Sequence, residues 1–305
     1  MLATNRLEST RRATGDLACV VPLRQAVDVR LSALLGHGMP KENRICAAMQ
    51  YGVLAPGKRL RPLLLLLTAR ALGADADRLM DVACALEMVH AASLFLDDLP
   101  CMDDADLRRG QPTVHVVYGE DIATLSAVAL LAKAWRITAS TPFVEPAARL
   151  EMVTVLSDAV GVDGLVAGQY RDLHESAMAS IGLAEKINHQ KTGVLFEAAF
   201  DIACLAAGGD PKTRRCLKAA AAELGQAFQI IDDLGDAELS AAHLGKDARK
   251  DGGKATVVAL LGPAAARQKL HAHVASAHGY LWEAMPGDTT VIDLTGSLFS
   301  RSGLA

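Results

Sequence analysis

The chain has 305 residues and a formal net charge of −4 from 31 basic and 35 acidic side chains; 51% of its residues are apolar and only 4% aromatic. A core drawn mainly from Ala, Leu and Val favours close-packed helices over sheets, and the evenly mixed charge gives no reason to expect nucleic acid or an anionic membrane as partner. The six cysteines (Cys19, Cys46, Cys84, Cys101, Cys204, Cys216) are scattered and form no Cys-x-x-Cys pair, which argues against a disulfide framework and for reduced core fillers.

Residues 1–20 contain Arg6, Arg11 and Arg12 and only a short apolar run from Ala18 to Val21. They read as a flexible N-terminal arm rather than a secretory leader, with 21–305 as a single domain. No Pro/Gly/Ser-rich linker divides that domain. Breakers such as Gly36, Gly38 and Pro40, or Gly208, Gly209 and Pro211, are spaced like helix-to-helix connections. The greasiest runs, Leu63 to Leu67 and Ile122 to Ala132, fall short of the ~20 apolar residues of a membrane span, so a cytoplasmic protein is expected.

From Leu79 the stripe Leu79, Val82, Ala83, Leu86, His90, Ser93, Asp97 keeps the three-four rhythm of one helix face, apolar at its start and polar at its end. Pro100 should stop this helix just after Asp97 and Asp98. A second helix is predicted from about Thr213 to Gly235. It carries Leu224, Phe228 and Ile231 on one stripe and Gly225, Gln229, Asp232 and Asp236 on another, a polar line on a greasy helix that should face a cavity. The preceding Phe228-Gln229-Ile230-Ile231 argues against solvent exposure of Asp232.

Three sets of residues carry chemistry. The run from Asp97 to Asp106 holds clustered carboxylates, the hard oxygen donors that Mg²⁺ takes alongside phosphate oxygens and water. In isolation such a run is more often a solvated acidic turn, but here it continues an apolar stripe. Asp232 and Asp236 lie one turn apart, and like charges this close need a cation to offset them. The bases Lys58, Arg59 and Arg61, then Arg108 and Arg109, Lys191, and Lys246 to Lys254 alternate with the two acidic motifs. Any one basic cluster has even odds of being surface salt bridges, but the set suggests a polyanion gripped by metal and by direct cations.

In order, Gly57-Lys58-Arg59-x-Arg61-Pro62, the first aspartate motif with Arg108-Arg109-Gly110, Gly168-Gln169-x-x-Asp172, Lys191-Thr192-Gly193, and Gln229-x-x-Asp232-Asp233-x-x-Asp236 with Gly245-Lys246 resemble the trans-isoprenyl diphosphate synthases over residues 45–262. The resemblance implies an all-α isoprenoid-synthase helical bundle around a central active-site cavity. It implies a homodimer, and a head-to-tail condensation of isopentenyl diphosphate with an allylic diphosphate. Asp97, Asp98, Asp103, Asp232, Asp233 and Asp236 would bind three Mg²⁺ on the allylic diphosphate, with Asp172 and Gln169 on the same polar wall, and Arg108 and Lys191 would grip that diphosphate. Lys58, Arg61, His90 and Arg109 would form the isopentenyl diphosphate site. Thr192, Gln229, Lys246 and Lys254 would line the reacting centre and close over it.

Two departures matter within that resemblance. Four residues separate Asp98 from Asp103, as in bacterial and plant-type members, and Gly235 stands where a larger residue is common and is expected to loosen the helix end. Ser93 and Ala92, four and five residues before the first aspartate, would floor the tail pocket; the absence of an aromatic there favours geranylgeranyl diphosphate over farnesyl diphosphate. Phe95 and Met88 are alternative caps on the channel. A terpene cyclase would replace the second aspartate motif, and a non-catalytic prenyltransferase subunit would lose motif aspartates. A di-iron bundle would need a second Glu-x-x-His beside Glu87 and His90. Cys101 reads as filler, and His115 and His189 as hydrogen-bonded structural histidines.

Overall fold

The structure, a computed structural model, describes residues 17–36, 43–175, 180–242 and 256–301, apart from the side chains of 236–242 and 301. Most of the expected N-terminal arm, and both Lys246 and Lys254, therefore lie outside the described residues. The chain is all-α, as its composition implies, and its helices are α1 (Val20–Gly36), α2 (Arg44–Val53), α3 (Leu60–Ala71), α4 (Met80–Asp97), α5 (Val114–Tyr118), α6 (Glu120–Ala139), α7 (Pro146–Val160), α8 (Leu165–His174), α9 (Ile181–Asn188), α10 (Val194–Ala206), α11 (Pro211–Ala242), α12 (Val257–Leu261), α13 (Pro263–Ala284) and α14 (Thr290–Arg301). Between α9 and α10 the backbone widens to a π-helical turn at His189–Gly193.

Strand geometry was not expected. It occurs once among the described residues, where β1 (Leu107–Arg108) and β2 (Gln111–Pro112) pair antiparallel with Arg108 opposite Gln111. The two residues joining them, Arg109 and Gly110, have φ of 54° and 77°. Positive φ at both centres is what a two-residue hairpin turn requires.

The described residues group into two compact units, one built from the chain up to Leu156 with Ile202–Gly209, the other from Ser157–Asp201 with the chain from Asp210 onward. In the first unit α4 packs along α6. Both helices are rich in buried alanine, Ala83, Ala85, Ala91 and Ala92 on α4 and Ala123, Ala127 and Ala134 on α6. Small side chains let two helix backbones approach closely, so a core poor in aromatics still packs densely. In the second unit α11 packs along α13. The larger volumes there are filled by Phe196, Phe228 and Phe299, whose rings meet edge to face at 5.6 and 6.5 Å.

Caps define several helix starts. Asn43 Oδ1 accepts from Ile45 N at the head of α2, Ser180 Oγ from Leu183 N at α9, and Asp210 Oδ1 from Lys212 N and Thr213 N at α11. The helix ending at Asp97 stops where Pro100 predicts, and four of its last eight residues before that aspartate (Val89 to Leu96), namely Val89, Ala91, Ala92 and Phe95, are buried. Helix α11 differs from expectation. It runs straight through Gly235 to Ala242, so the second aspartate motif lies inside a helix and Gly235 does not end it.

Two helices are longer and more apolar than their greasiest runs imply. Ala76–Asp97, which includes a short 3₁₀ lead-in, and Glu120–Ala139 have the length and mean hydropathy of a membrane span. The first is 67% buried inside the protein over its greasiest window and the second 33%. The cysteines divide similarly: all are free thiols, with Cys46, Cys84 and Cys204 buried as fillers, whereas Cys101 is exposed in the aspartate loop.

Candidate active site

In the first unit a pocket of about 490 Å³, counted to its open mouth, is lined by Arg59, Glu87, His90, Phe95, Asp98, Arg108 and Arg109, among others. Helix α4 supplies Glu87, His90, Phe95 and, at its C-cap, Asp98; of the polar end of the predicted stripe His90 lines the pocket, whereas Ser93 and Asp97 do not. The loop after it folds back on the helix end. Met102 N donates to Leu99 O, Asp103 N to Asp97 O at 2.8 Å and Ala105 N to Asp98 O. The four residues between the aspartates therefore form a turn that returns Asp103 to the backbone of Asp97.

The hairpin then brings the two arginines in. Asp98 is 3% exposed, and the Arg108 fork closes on it with Nε at 2.7 Å from Oδ1 and Nη2 at 2.6 Å. Burial works against the Arg108 cation, but the Asp98 hydrogen bond and the charges of Asp98, Asp97 and Asp103 outweigh it and raise its pKa. Arg109, at the hairpin tip, donates through Nη1 to Pro56 O. Burial lowers its pKa, with Arg59 and Arg108 adding to that effect and Glu87 opposing it. His90 is held well below the ordinary histidine range by burial and then by Arg61, Arg109, Arg108 and Arg59, so its imidazole is neutral near pH 7.

Of the remaining predicted residues here, Lys58 is exposed, Arg61 is half-buried in the first turn of α3, Ala92 is fully buried and Ser93 is half-buried. Ser93 Oγ donates to His90 O, and neither Ala92 nor Ser93 lines the pocket. Phe95 does, with its ring lying where a side chain on Gly52 would be: a Cβ there would stand 2.2 Å from the Phe95 Cε1. Sequence reasoning missed two residues. Arg59 stands out there only as part of a basic segment, and Glu87 only as half of a di-iron signature. The structure pairs them, Nη1 to Oε1 at 3.0 Å, with both side chains buried, so Glu87 serves a guanidinium.

In the second unit the π-helical turn gathers the predicted residues. Lys191 Nζ donates to Asp172 Oδ2 at 2.6 Å, and Thr192 Oγ1 to Gln229 Oε1 at 3.3 Å; Gln229 Nε2 in turn donates to Asp233 Oδ1. The turn is fixed from beneath by Gln190, which accepts from Arg171 at 2.6 Å and donates to Asp163 O. π-turns inserted in helices mark functional sites often enough to be informative. Two glycines make the fit possible: a Cβ on Gly168 would stand 2.8 Å from Lys191 N, and one on Gly225 2.7 Å from Gly193 Cα. Gln169 is half-buried, while Asp232 is exposed, contrary to expectation; its sequence neighbours Ile231 and Leu234, on other faces of α11, carry the burial. Asp236 lies in α11, its side chain outside the described residues.

The donor chemistry fits Mg²⁺: the candidate ligands in both motifs are carboxylates, the hard oxygen donors that this ion takes. Among the described residues no three such groups converge on one point, so ligand oxygens are needed to complete a shell. His115 Nδ1 lies 3.0 Å from Thr113 Oγ1, and His189 Nδ1 lies 3.7 Å from Glu197, in keeping with structural roles.

An almost wholly helical chain that places carboxylates at the end of one core helix and within another, with Arg108 against Asp98 and Lys191 against Asp172, is built as an isoprenoid synthase is. The chain belongs to the polyprenyl synthetase family, whose family model matches residues 42–278. It is 48% identical to the geranylgeranyl diphosphate synthase of Pseudescherichia vulneris over 87% of this chain and 86% of that one. It is 40% identical to the farnesyl diphosphate synthase of Geobacillus stearothermophilus over 86% of this chain and 89% of the other. The crystal structure of an FPP/GFPP synthase from Zymomonas mobilis aligns with a TM-score of 0.82 at 33% identity, covering 94% of this chain and 99% of that one.

Proposed function

We propose that the protein is a short-chain trans-prenyltransferase that condenses isopentenyl diphosphate with an allylic diphosphate to give geranylgeranyl diphosphate. The pocket of the first unit carries this reading, because it sets a neutral histidine among three arginines directly beside a buried carboxylate. Arg109, Lys58 and Arg61 hold the diphosphate of the isopentenyl substrate as cations, and His90 donates an N–H without adding charge. Arg108 and Lys191 orient the allylic diphosphate, each released from the carboxylate it now grips. Asp97, Asp98 and Asp103 in the first unit and Asp172, Asp232, Asp233 and Asp236 in the second are the residues that would hold Mg²⁺, which when bound would neutralise charge on the departing diphosphate. Three ions suit the number of carboxylates.

Ionisation of the allylic carbon–oxygen bond is favoured because fixed cations meet the charge that develops on the leaving oxygens. The isopentenyl double bond then attacks, and transfer of one proton from the resulting cation to the released diphosphate leaves a chain five carbons longer. Thr192, Gln229 and Gln169 contribute hydroxyl and amide dipoles to the reacting centre, from which water must be kept away for the cation to survive; Lys246 and Lys254, which the family resemblance assigns to the same centre, lie outside the described residues. Ala92 and Ser93 leave room for a twenty-carbon tail. The enzyme works in the cytoplasm as a homodimer, which the exposed apolar side chains Leu125 and Val128 of α6 support.

Purified protein is incubated with isopentenyl diphosphate, Mg²⁺ and dimethylallyl, geranyl or farnesyl diphosphate in turn, and products are separated by carbon number. A dominant twenty-carbon diphosphate is expected. Exclusive fifteen-carbon product overturns the chain-length reading, and no condensation with any starter overturns the enzyme class.

A further inference from the structure

Among the arginines of the pocket, Arg59 has no nitrogen to spare. Its side chain is 3% exposed, and each part of its guanidinium is engaged by protein: Nε donates to Asp28 Oδ1 at 2.7 Å, Nη1 to Glu87 Oε1 at 3.0 Å and Nη2 to Ala55 O at 2.9 Å. At that burial, with each nitrogen already held by protein, it is placed to fix its surroundings rather than to meet a phosphate. Its backbone is left-handed, with φ 50° and ψ 36°, at the N-cap of α3, a conformation that non-glycine residues rarely adopt. A strained residue with a fully committed side chain holds something else in place.

What it holds is the loop leading to Lys58. Arg59 takes Ala55 O while Arg109 takes Pro56 O from the next peptide, so two guanidinium groups grip successive carbonyls of one loop. Gly57 has no side chain between them; a Cβ there would stand 2.7 Å from Arg109 Nη1 and 3.3 Å from Arg59 Nη1. Lys58 follows at the loop end and Arg61 lies in the first turn of α3. On the other side, Glu87 sits one turn before His90 on α4 and is 3% exposed, and its charge acts on Arg109 as well as Arg59. One buried bridge thus ties the helix of His90 to the loop of Lys58.

We propose that Arg59 and Glu87 are positioning residues for the isopentenyl diphosphate half of the pocket: their bridge sets where Lys58, Arg61, Arg109 and His90 stand, and so the affinity for that substrate, without touching it. The inference rests on the function proposed above. Asp28, whose side chain is 46% exposed, is the outer anchor of the same bridge and contributes less.

The test is steady-state kinetics on the full chain with Arg59→Lys, Glu87→Gln and Asp28→Asn, varying each substrate with the other saturating, alongside thermal unfolding. For Arg59→Lys and Glu87→Gln the KM for isopentenyl diphosphate is expected to rise about tenfold, and for Asp28→Asn about threefold, with the allylic KM within about twofold of wild type. Equal rises in both KM values track a general loosening of the fold and overturn the proposal, as does an unchanged isopentenyl KM. Should either buried variant fail to fold, Asp28→Asn decides alone: a flat isopentenyl KM in that variant overturns the bridge. Wild-type protein that condenses neither substrate removes the functional reading together with this one, whereas active wild type with flat variants removes only the bridge.

Discussion

Asp97 and Asp98 are neighbours in sequence with different attachments. Asp98 is buried under the Arg108 fork, whereas Asp97 is half-buried at the last turn of α4. Asp97→Ala is expected to lower turnover by roughly a hundredfold or more while unfolding changes by about 1 kcal/mol or less. Asp98→Ala removes the partner of a guanidinium that is only 36% exposed, so it should lower turnover similarly and destabilise by about 1–3 kcal/mol besides. Rate assays and thermal melts on the two variants separate the effects; equal melting temperatures would show that the Arg108 pair carries no stability. His90 gives a pH signature at the same scale. Its folded pKa lies well below the 6.5 of an unfolded histidine, first through burial and then through its arginine neighbours. Above pH 6.5 or so both states are neutral and the group contributes nothing. As pH falls below about 6.5 the unfolded chain takes up a proton that the folded one refuses, and stability is lost until the folded pKa is reached. His90→Gln should therefore flatten the fall in melting temperature between about pH 7 and pH 5; an unaltered slope would mean that other groups set it.

Helix α4 was legible because one stripe carried both its core face and its polar end, and Pro100 marked its stop. Helix α11 was legible as a helix but not in extent, since Gly235 reads as a breaker on propensity alone while its position meets nothing within 4 Å and leaves the backbone helical. The exposure of Asp232 was misjudged for a related reason: apolar neighbours in sequence lie on other faces of a helix. Lys191, Thr192, Gln229 and Asp172 were legible as motif residues, but the π-turn that presents them has no periodic signature. Nor does the Arg59–Glu87 bridge, whose partners lie 28 residues apart. Glycines inside these elements separate packing from propensity. Gly225→Ala drives a Cβ to 2.7 Å from Gly193 Cα on the segment that carries Lys191 and Thr192. It should cost about 1–3 kcal/mol and lower turnover. Gly235→Ala, with open space around it, should instead stabilise by about 0.5–1 kcal/mol. Chemical denaturation of both variants checks the contrast; destabilisation by Gly235→Ala would place an unseen neighbour against α11.

At the scale of the molecule, the packing reflects composition: aromatics are few, and α4 packs on α6 and α11 on α13 with many buried alanines among their core residues. Helix α6 then has an inner alanine face and an outer one that is not polar. Its Leu125 and Val128 are 51% and 57% exposed, and Val116 and Val117 on the short helix before it are 50% and 46% exposed. Apolar area left wet costs about 25 cal/mol per Å² relative to burial, and a helix that meets the length and hydropathy of a membrane span yet is one-third buried retains much of that area. In the homodimer proposed above, a second copy of the chain would cover it symmetrically, because a two-fold axis sets each patch against its own equivalent. In such an isologous contact one substitution acts twice. Leu125→Lys places two ammonium groups in the same apolar seam, where their desolvation outweighs the pairing that Asp121, one turn earlier, can offer. Light scattering is expected to give twice the chain mass for wild type and the single-chain mass for Leu125→Lys, with the far-ultraviolet circular dichroism unchanged. A wild-type monomer, or a Leu125→Lys dimer of undiminished affinity, would move the interface off α6.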